Sequence, residues 1–275
     1  MSNWLITGVS GGLGREIARA ALARGDAVAG TVRRPEDQAA FGALAPGRAH
    51  GLLLDLVRPA DAAATAQAAA SLLGNIDVLV NNAGYGLVAA VEEASLEEVR
   101  AQFEVNVFGA LAMIQAVLPA MRARRAGRIV NVTSVSGIAV WAGTGVYCAS
   151  KHALEAIGET LADEVAPFGV KVINVAPGGM RTDYAGRSLV RSSARIPAYD
   201  EGPAHQAETI LADHAGGEGG DPVKVARAIL DAVDMEAPPR RLLLGADALH
   251  YAEQHIEGLQ ADIARWRDLS LSTGF

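Results

Sequence analysis

The sequence predicts an α/β fold: one doubly wound domain on a seven-stranded, mainly parallel sheet. Three observations carry this. Short apolar runs alternate with helical patterns along most of the chain, which implies parallel strands joined by right-handed crossovers. A glycine-rich turn, Gly8 to Gly14, follows the first apolar run directly. The 275 residues are half hydrophobic and one fifth charged, with no internal repeat and no dividing linker, so residues 1–275 read as a single domain.

The elements follow in order. Trp4-Leu5-Ile6-Thr7 is a buried-type strand, and Arg15 to Arg24 has helical spacing that Gly25 stops. Ala27 to Val32 is strand two. Pro35 opens a helix towards Leu44, with Pro46-Gly47 as punctuation. Leu52-Leu53-Leu54-Asp55 is strand three, the Ala-rich run Pro59 to Leu73 a helix, and Ile76 to Val80 strand four. Ser95 with Glu98 forms a capping box that opens one long helix to Arg125. Arg128 to Val132 is strand five. A helix from near Tyr147 ends before Gly169, and Lys171 to Val175 is strand six. Residues 178–220 read as an irregular segment, a mobile lid over a binding site. Asp221-Pro222 starts a helix to about Met235, Arg241 to Leu244 is strand seven, and Ala246 to about Trp266 is a final amphipathic helix.

Composition removes several function classes. Lys plus Arg is 24 and Asp plus Glu is 31, a net charge of −7, which argues against nucleic acid or an anionic membrane as main partner. The lone cysteine, Cys148, leaves no intrachain disulfide and no cysteine-based zinc site. The histidines His50, His152, His205, His214, His250 and His255 show no metal-ligand spacing with carboxylates, so no metal is expected. The start of the chain lacks the pattern of a signal peptide. The apolar window Val105 to Met121 contains Asn106, Gln115 and Pro119 and is too short and polar to span a membrane. These features together suggest a soluble, cytoplasmic protein.

Ligands of a parallel sheet bind at the carboxyl ends of its strands. Gly8, Gly12 and Gly14 lie there, where glycine lets the backbone turn tightly and lets a pyrophosphate reach N–H groups at a helix start. A tight turn without a ligand has the same spacing. Gly8-x-Ser10-x-Gly12 also matches a nucleophile elbow, which would make Ser10 the nucleophile of an α/β-hydrolase with Asp247 and His250, although such elbows follow several strands. Tyr147 and Lys151, four apart on a helix, share a face. Alone, the pair is a phenol beside a surface ammonium. Here it has partners: Ser134 at the end of strand five, Asn81-Asn82-Ala83-Gly84 after strand four, Asn106 inside an apolar helix, and Pro177-Gly178 after strand six with Thr182 beyond.

Thr7-Gly8-x-x-x-Gly12-x-Gly14, Asn81-Asn82-Ala83-Gly84, Asn106, Ser134, Tyr147-x-x-x-Lys151 and Pro177-Gly178-x-x-x-Thr182 together resemble the short-chain dehydrogenase/reductase family, in its shorter, oxidoreductase-rich branch. The match runs from residue 3 to about residue 182. The strand Leu242-Leu243-Leu244-Gly245 and the long last helix loosely resemble hydroxysteroid- and retinol-dehydrogenase-like members.

The resemblance implies a Rossmann-type domain that moves a hydride between a nicotinamide and a carbonyl or secondary alcohol. Asn106, Ser134, Tyr147 and Lys151 would be catalytic. Tyr147 would be the general acid/base, its pKa lowered from about 10 by the Lys151 ammonium and the nicotinamide charge. Ser134 would hold the substrate oxygen where negative charge develops. Asn106 would hold a water linking Lys151 to solvent. Thr7, Gly8, Ser10, Gly12, Leu13 and Gly14 would line the dinucleotide cradle. Asn82, Ala83 and Gly84 would line the adenosine ribose side. Asp55, with Leu56 beside it, would meet the adenine amino group, unless it is only a solvated strand-end carboxylate. Tyr147 and Lys151 would also touch the nicotinamide ribose, and Pro177, Gly178 and Thr182 the carboxamide.

The end of strand two decides the cofactor. An NAD enzyme usually has a carboxylate there. Here stand Val32, Arg33 and Arg34, and guanidinium groups suit a 2′-phosphate, so NADP(H) is expected over NAD(H), with Arg33 the first contact and Arg34 or Ser10 assisting. Two solvated arginines are the alternative. Cys148 reads as packing. Trp141 either edges the substrate pocket or fills core, and Tyr184 and Tyr199 fall in the lid. A homodimer or homotetramer is expected by resemblance, through the helices that carry Asn106 and Tyr147. The alternative function is a catalytically silent dinucleotide-binding sensor or scaffold.

Overall fold

The structure, a computed structural model, describes residues 1–58, 60–182, 188–213 and 216–274. Seven strands form the main sheet: β1 (Asn3–Ile6), β2 (Ala27–Val32), β3 (Ala49–Leu53), β4 (Val78–Asn81), β6 (Gly127–Val132), β7 (Val170–Pro177) and β9 (Arg241–Leu244). Their order is β3-β2-β1-β4-β6-β7-β9, and every pairing is parallel. The order reverses at β1, so a crevice opens at the carboxyl ends of β1 and β4.

Helices cover both faces. On one, α1 (Gly12–Ala23) and α8 (Pro222–Asp234) bury Ile17, Leu22, Ile229 and Leu230 against Ile6, Val28, Val80 and Ile173. On the other, α3 (Asp61–Leu73), α5 (Ala110–Arg124) and α6 (Gly145–Val165) bury Ala66, Ile114 and Leu161 against Leu5, Leu79 and Ile129. Buried on both faces, these strands read as continuous apolar runs. Strand three starts earlier than the sequence suggests. His50 and Gly51 hide its pattern, and Gly51 serves close packing, since a Cβ there would lie 2.5 Å from the Gln38 carbonyl oxygen of α2 (Pro35–Gly42).

Three expectations need correction. First, the helix from Ser95 is not uniform. The capping box is present, with Glu98 N–H donating to Ser95 Oγ at 3.2 Å and Ser95 N–H to Glu98 Oε2 at 2.9 Å. It opens α4 (Leu96–Phe103), but a π-helical turn over Glu104–Gly109 then separates α4 from α5. Such turns inside helices often mark functional sites. Second, the run Leu96–Arg124 is 29 residues, with mean hydropathy 1.5 in its most apolar stretch. It is therefore long and apolar enough to cross a membrane by length and composition, unlike the shorter window read from sequence. Here Asn106, Met113, Ile114, Val117 and Met121 of that run are buried in the fold.

Third, the described residues of 178–220 are not irregular throughout, while 183–187 and 214–215 of that segment lie outside the described residues. The described ones hold β8 (Leu189–Arg191), a 3-10 turn over Pro197–Tyr199 and α7 (Pro203–Asp213). Strand β8 pairs in parallel with β5 (Gly86–Val88), a three-residue strand too short for any periodic signal. Polar anchors fasten this segment. Buried His205 reaches Glu93 Oε1 at 2.8 Å and Asp200 Oδ1 at 3.1 Å, so a histidine that showed no carboxylate spacing in sequence sits between two carboxylates in space. Ile196 N–H donates to Glu93 Oε1 at 2.6 Å, and Ser193 N–H to Glu98 Oε1 at 2.9 Å. Chain end follows in α9 (Ala246–Arg265) and α10 (Arg267–Leu271).

Candidate active site

The glycine loop between β1 and α1 is shaped for a close backbone approach. Gly8 and Gly12 have φ of +75° and +56°, conformations that favour glycine. At Gly14 a Cβ would lie 2.3 Å from Asn82 Nδ2 and 2.4 Å from the Gly8 carbonyl oxygen. Asn82 Nδ2 donates to the carbonyls of Thr7 (2.9 Å) and Gly8 (3.1 Å), which pins the loop from the end of β4. Thr7 Oγ1 accepts from the N–H groups of Asn82 and Ala83, both at 3.0 Å. The first turn of α1 has neither a side-chain cap nor an acidic residue. Its N–H groups and positive dipole end therefore suit a phosphate. Thr182 stands across from Gly12, 3.9 Å from where a Cβ would be. Exposed Ser10 and buried Leu13 complete the loop.

The cofactor's other expected contacts ring the same crevice. Gly178 N–H donates to the Leu244 carbonyl at 3.0 Å, holding the turn after Pro177. Asp247 Oδ2 accepts from Gly179 N–H at 2.7 Å, and the His250 ring lies tilted at 56° to the neighbouring Tyr251 ring, with centroids 5.3 Å apart. Asp55, half-buried after β3, accepts from Val57 N–H at 3.3 Å, and Leu56 packs against Gly109. At the end of β2, Val32 is buried and Arg33 exposed. Arg34 is tied to Asp37 (2.7 and 3.0 Å) and lies near Glu36 (3.5 Å).

The four predicted catalytic residues come from three elements. The π-turn brings Asn106 inward, where it is 1% exposed. Its Oδ1 accepts from Tyr85 N–H (3.0 Å), and its Nδ2 donates to the Tyr85 carbonyl (2.9 Å) and to Ser150 Oγ (3.0 Å). Ser150 Oγ in turn donates to the Tyr147 carbonyl at 2.7 Å. Lys151 Nζ donates to the Val132 carbonyl at 3.0 Å and lies 5.8 Å from the centre of the Tyr147 ring. Gly84 fits closely beside both groups: a Cβ would be 3.0 Å from Asn106 Oδ1 and 3.5 Å from Lys151 Nζ. Burial lowers the Lys151 pKa to about 8, against the opposing attraction of Glu155. Ser134, just after β6, accepts from Ser136 N–H at 3.1 Å and caps a 3-10 turn.

Beneath these groups runs a polar ladder that sequence reasoning missed. Asn81 donates to Asn131, and Asn131 to Asn174, each at 3.0 Å across β4, β6 and β7. Asn174 donates to Glu155 Oε2 (2.9 Å), and Glu155 also accepts from Thr133 Oγ1 (2.5 Å) and Arg241 Nε (3.3 Å). The available signal was an asparagine within each of three apolar strands. Also unforeseen were Tyr85 and Ser150, and the bond that Asp247 accepts from Gly179 N–H, all contacts distant in sequence. Trp141 meets Tyr251 edge-to-face at 5.3 Å and so docks α9. Tyr199 donates to Glu92 at 2.6 Å beside an apolar hollow of about 500 Å³ that Ala90, Val91, Ala142 and Ala204 also line. Cys148 is buried next to Thr144. Tyr184 and His214 lie outside the described residues.

Comparison with known proteins agrees with this geometry. Residues 2–190 match the short chain dehydrogenase family. The chain is 37% identical to oxidoreductase BOA17 of Botryotinia fuckeliana, over 98% of both chains. The crystal structure of a short-chain dehydrogenase from Streptomyces avermitilis superposes with a TM-score of 0.92 at 40% identity, covering 99% of this chain and 98% of that one. A Burkholderia phymatum short chain dehydrogenase/reductase in complex with NAD gives 0.83 at 26% identity, covering 95% of each chain. A serine dehydrogenase complexed with NADP+ gives 0.75 at 26% identity, covering 88% of this chain and 93% of that one. The chain belongs to the short-chain dehydrogenase/reductase family of oxidoreductases, whose fold binds NAD(P).

Proposed function

We propose that this oxidoreductase interconverts a carbonyl and a secondary alcohol with NADP(H), using Tyr147 as general acid/base. One observation carries the reading: the buried Lys151 ammonium stands 5.8 Å from the Tyr147 ring and shares the Gly84 corner with Asn106. A cation so placed favours the phenolate and brings a phenol's pKa, ordinarily about 10, towards neutrality.

The glycine loop fits a dinucleotide, and hydride is supplied or accepted by the nicotinamide when that cofactor is bound. In reduction, the carbonyl carbon gains the hydride, the π pair moves to oxygen, and that oxygen takes the Tyr147 proton. Ser134 donates a hydrogen bond to the same oxygen as its charge grows. Lys151 holds the charge that Tyr147 needs. Asn106 fixes the Tyr85 peptide and lies beside Lys151, where a water can carry protons to Lys151 from solvent.

Arg33 supports NADP(H). It is exposed at the end of β2, no carboxylate stands at Val32, and Arg34 is occupied by Asp37. Asp55 and Leu56 would face the adenine, and Pro177, Gly178 and Thr182 the carboxamide. The described part of residues 178–220 would cover the substrate, which would approach along the apolar hollow next to Ala142. The buried lone cysteine suits a reducing compartment such as the cytoplasm.

The test is purified protein with NADPH or NADH and a panel of ketones and aldehydes. Turnover that Tyr147→Phe abolishes supports the reading. Tight cofactor binding without turnover on any carbonyl supports a sensor instead.

A further inference from the structure

We infer that the projecting C-terminal helix is a self-association surface, pairing antiparallel with the same helix of a second copy of this chain. The inference is independent of the proposed reaction. Helix α9 is rooted on the fold by Ala248 and Ala252, which are buried, and by the contact of Tyr251 with Trp141. Beyond Ala252 every described residue to Gly274 is exposed. The projecting part of α9 with α10 is roughly 25 Å long, and a helix of that length is marginal in water without packing.

Its sequence supplies a seam. Leu249, Ala252, Ile256, Leu259, Ile263 and Trp266 recur at alternating spacings of three and four. That is the a/d pattern of a coiled coil, narrower than the broad apolar face of a helix that lies on a globular core. In the projecting part, Ile256, Leu259, Ile263 and Trp266 are all about half exposed, between 48% and 56%. Off the seam, the charged positions are mainly acidic, Glu253, Glu257, Asp262 and Asp268 against Arg265 and Arg267, and two exposed leucines, Leu269 and Leu271, follow in α10. This charge disfavours an anionic membrane, which selects basic amphipathic helices.

Direction follows from the root. The fold already occupies the seam side at Ala248 and Ala252. A parallel partner would need that space for its own root, whereas an antiparallel partner brings the projecting end of its helix there. The antiparallel register that uses the whole projecting seam sets Ile256 against Trp266 of the second copy and Leu259 against Ile263. It also places Glu253 opposite Arg267 at both ends, a complementary pair, and brings Asp262 near its own copy by the two-fold axis.

Sedimentation equilibrium of the full chain tests this. Ile256→Asp/Ile263→Asp should weaken assembly by about a hundredfold or more and halve the assembled mass, with the thermal transition of the fold retained. Glu253→Arg or Arg267→Glu alone should weaken assembly, and the double exchange should restore it. Asp262→Asn should strengthen it. On oxidation, Leu259→Cys protein mixed with Ile263→Cys protein should form covalent dimers, and neither should do so alone. An unchanged mass for the double aspartate variant would overturn the proposal. So would cross-linking of either single cysteine variant alone, or a double exchange no stronger than the single ones. Binding to phosphatidylserine vesicles by a chain whose mass is unaffected by these changes would also overturn it.

Discussion

Lys151 and Tyr147 sit one helical turn apart on α6, with the ammonium 5.8 Å from the centre of the phenol ring. The lysine is held there by the Val132 carbonyl and by burial, not by a carboxylate bonded to its nitrogen. Its charge thus stands near the phenol, with the attraction of Glu155 acting on it as well. The cost of that burial appears as a pKa lowered to about 8.

The pH dependence follows from that shift. Lys151 is protonated below about pH 8 and loses its charge above it. Without that charge, stabilisation of the Tyr147 phenolate is lost, and in reduction a deprotonated relay cannot resupply the proton. Reductive kcat/KM should fall above about pH 8. Lys151→Arg, which stays charged, should move that descending limb upward. A profile flat to pH 10 in the parent enzyme would contradict this.

Cofactor preference should reside in Arg33. Val32→Asp with Arg33→Ala should raise the NADH to NADPH ratio of kcat/KM by about tenfold to a hundredfold, as a charge pair with the 2′-phosphate is replaced by repulsion. Arg34→Ala should do less, since Arg34 is already paired with Asp37. Coenzyme kinetics on the three variants check both statements.

The glycine loop has a position that tolerates no side chain. Gly14→Ala would force a methyl against the Asn82 amide and the Gly8 carbonyl. We expect a loss of about 1–3 kcal/mol in unfolding free energy, as for other overpacked sites, with weaker cofactor binding. Gly74, with nothing near its Cβ, differs by its φ of +84° alone. Denaturant unfolding and cofactor titration of Gly14→Ala measure the two effects.

Much of this was legible in the sequence because each motif sits at the end of a strand or on a regular helix. The seven strands of the main sheet, the glycine loop and the Tyr147–Lys151 pair all follow from local pattern. What stayed hidden depends on contacts across the chain. Strands β5 and β8 are three residues each and exist only through each other. The π-turn at Asn106 cannot be told from α-helix by apolar spacing. Asn81, Asn131 and Asn174 look like polar interruptions of strands until the sheet aligns them. The projecting seam of α9 reads as an ordinary amphipathic helix until its root is seen to end at Ala252.

The asparagine ladder carries its own prediction. Asn174→Ala would strip a donor from buried Glu155 and an acceptor from Asn131. Glu155 keeps Thr133 and Arg241 as donors, so the main loss is the acceptor of the buried Asn131 amide, which should cost about 1–3 kcal/mol. Thermal and denaturant unfolding provide the check, and a loss below about 0.5 kcal/mol would show that the ladder is energetically idle.

The most direct test of the account is Tyr147→Phe, which removes one oxygen and leaves the ring that packs near Lys151. Cofactor affinity, followed by fluorescence titration, should stay within a few-fold of the parent. Carbonyl reduction in a single turnover should fall by about 10²–10⁴. A variant that binds cofactor and reduces carbonyls at the parent rate would contradict the central claim.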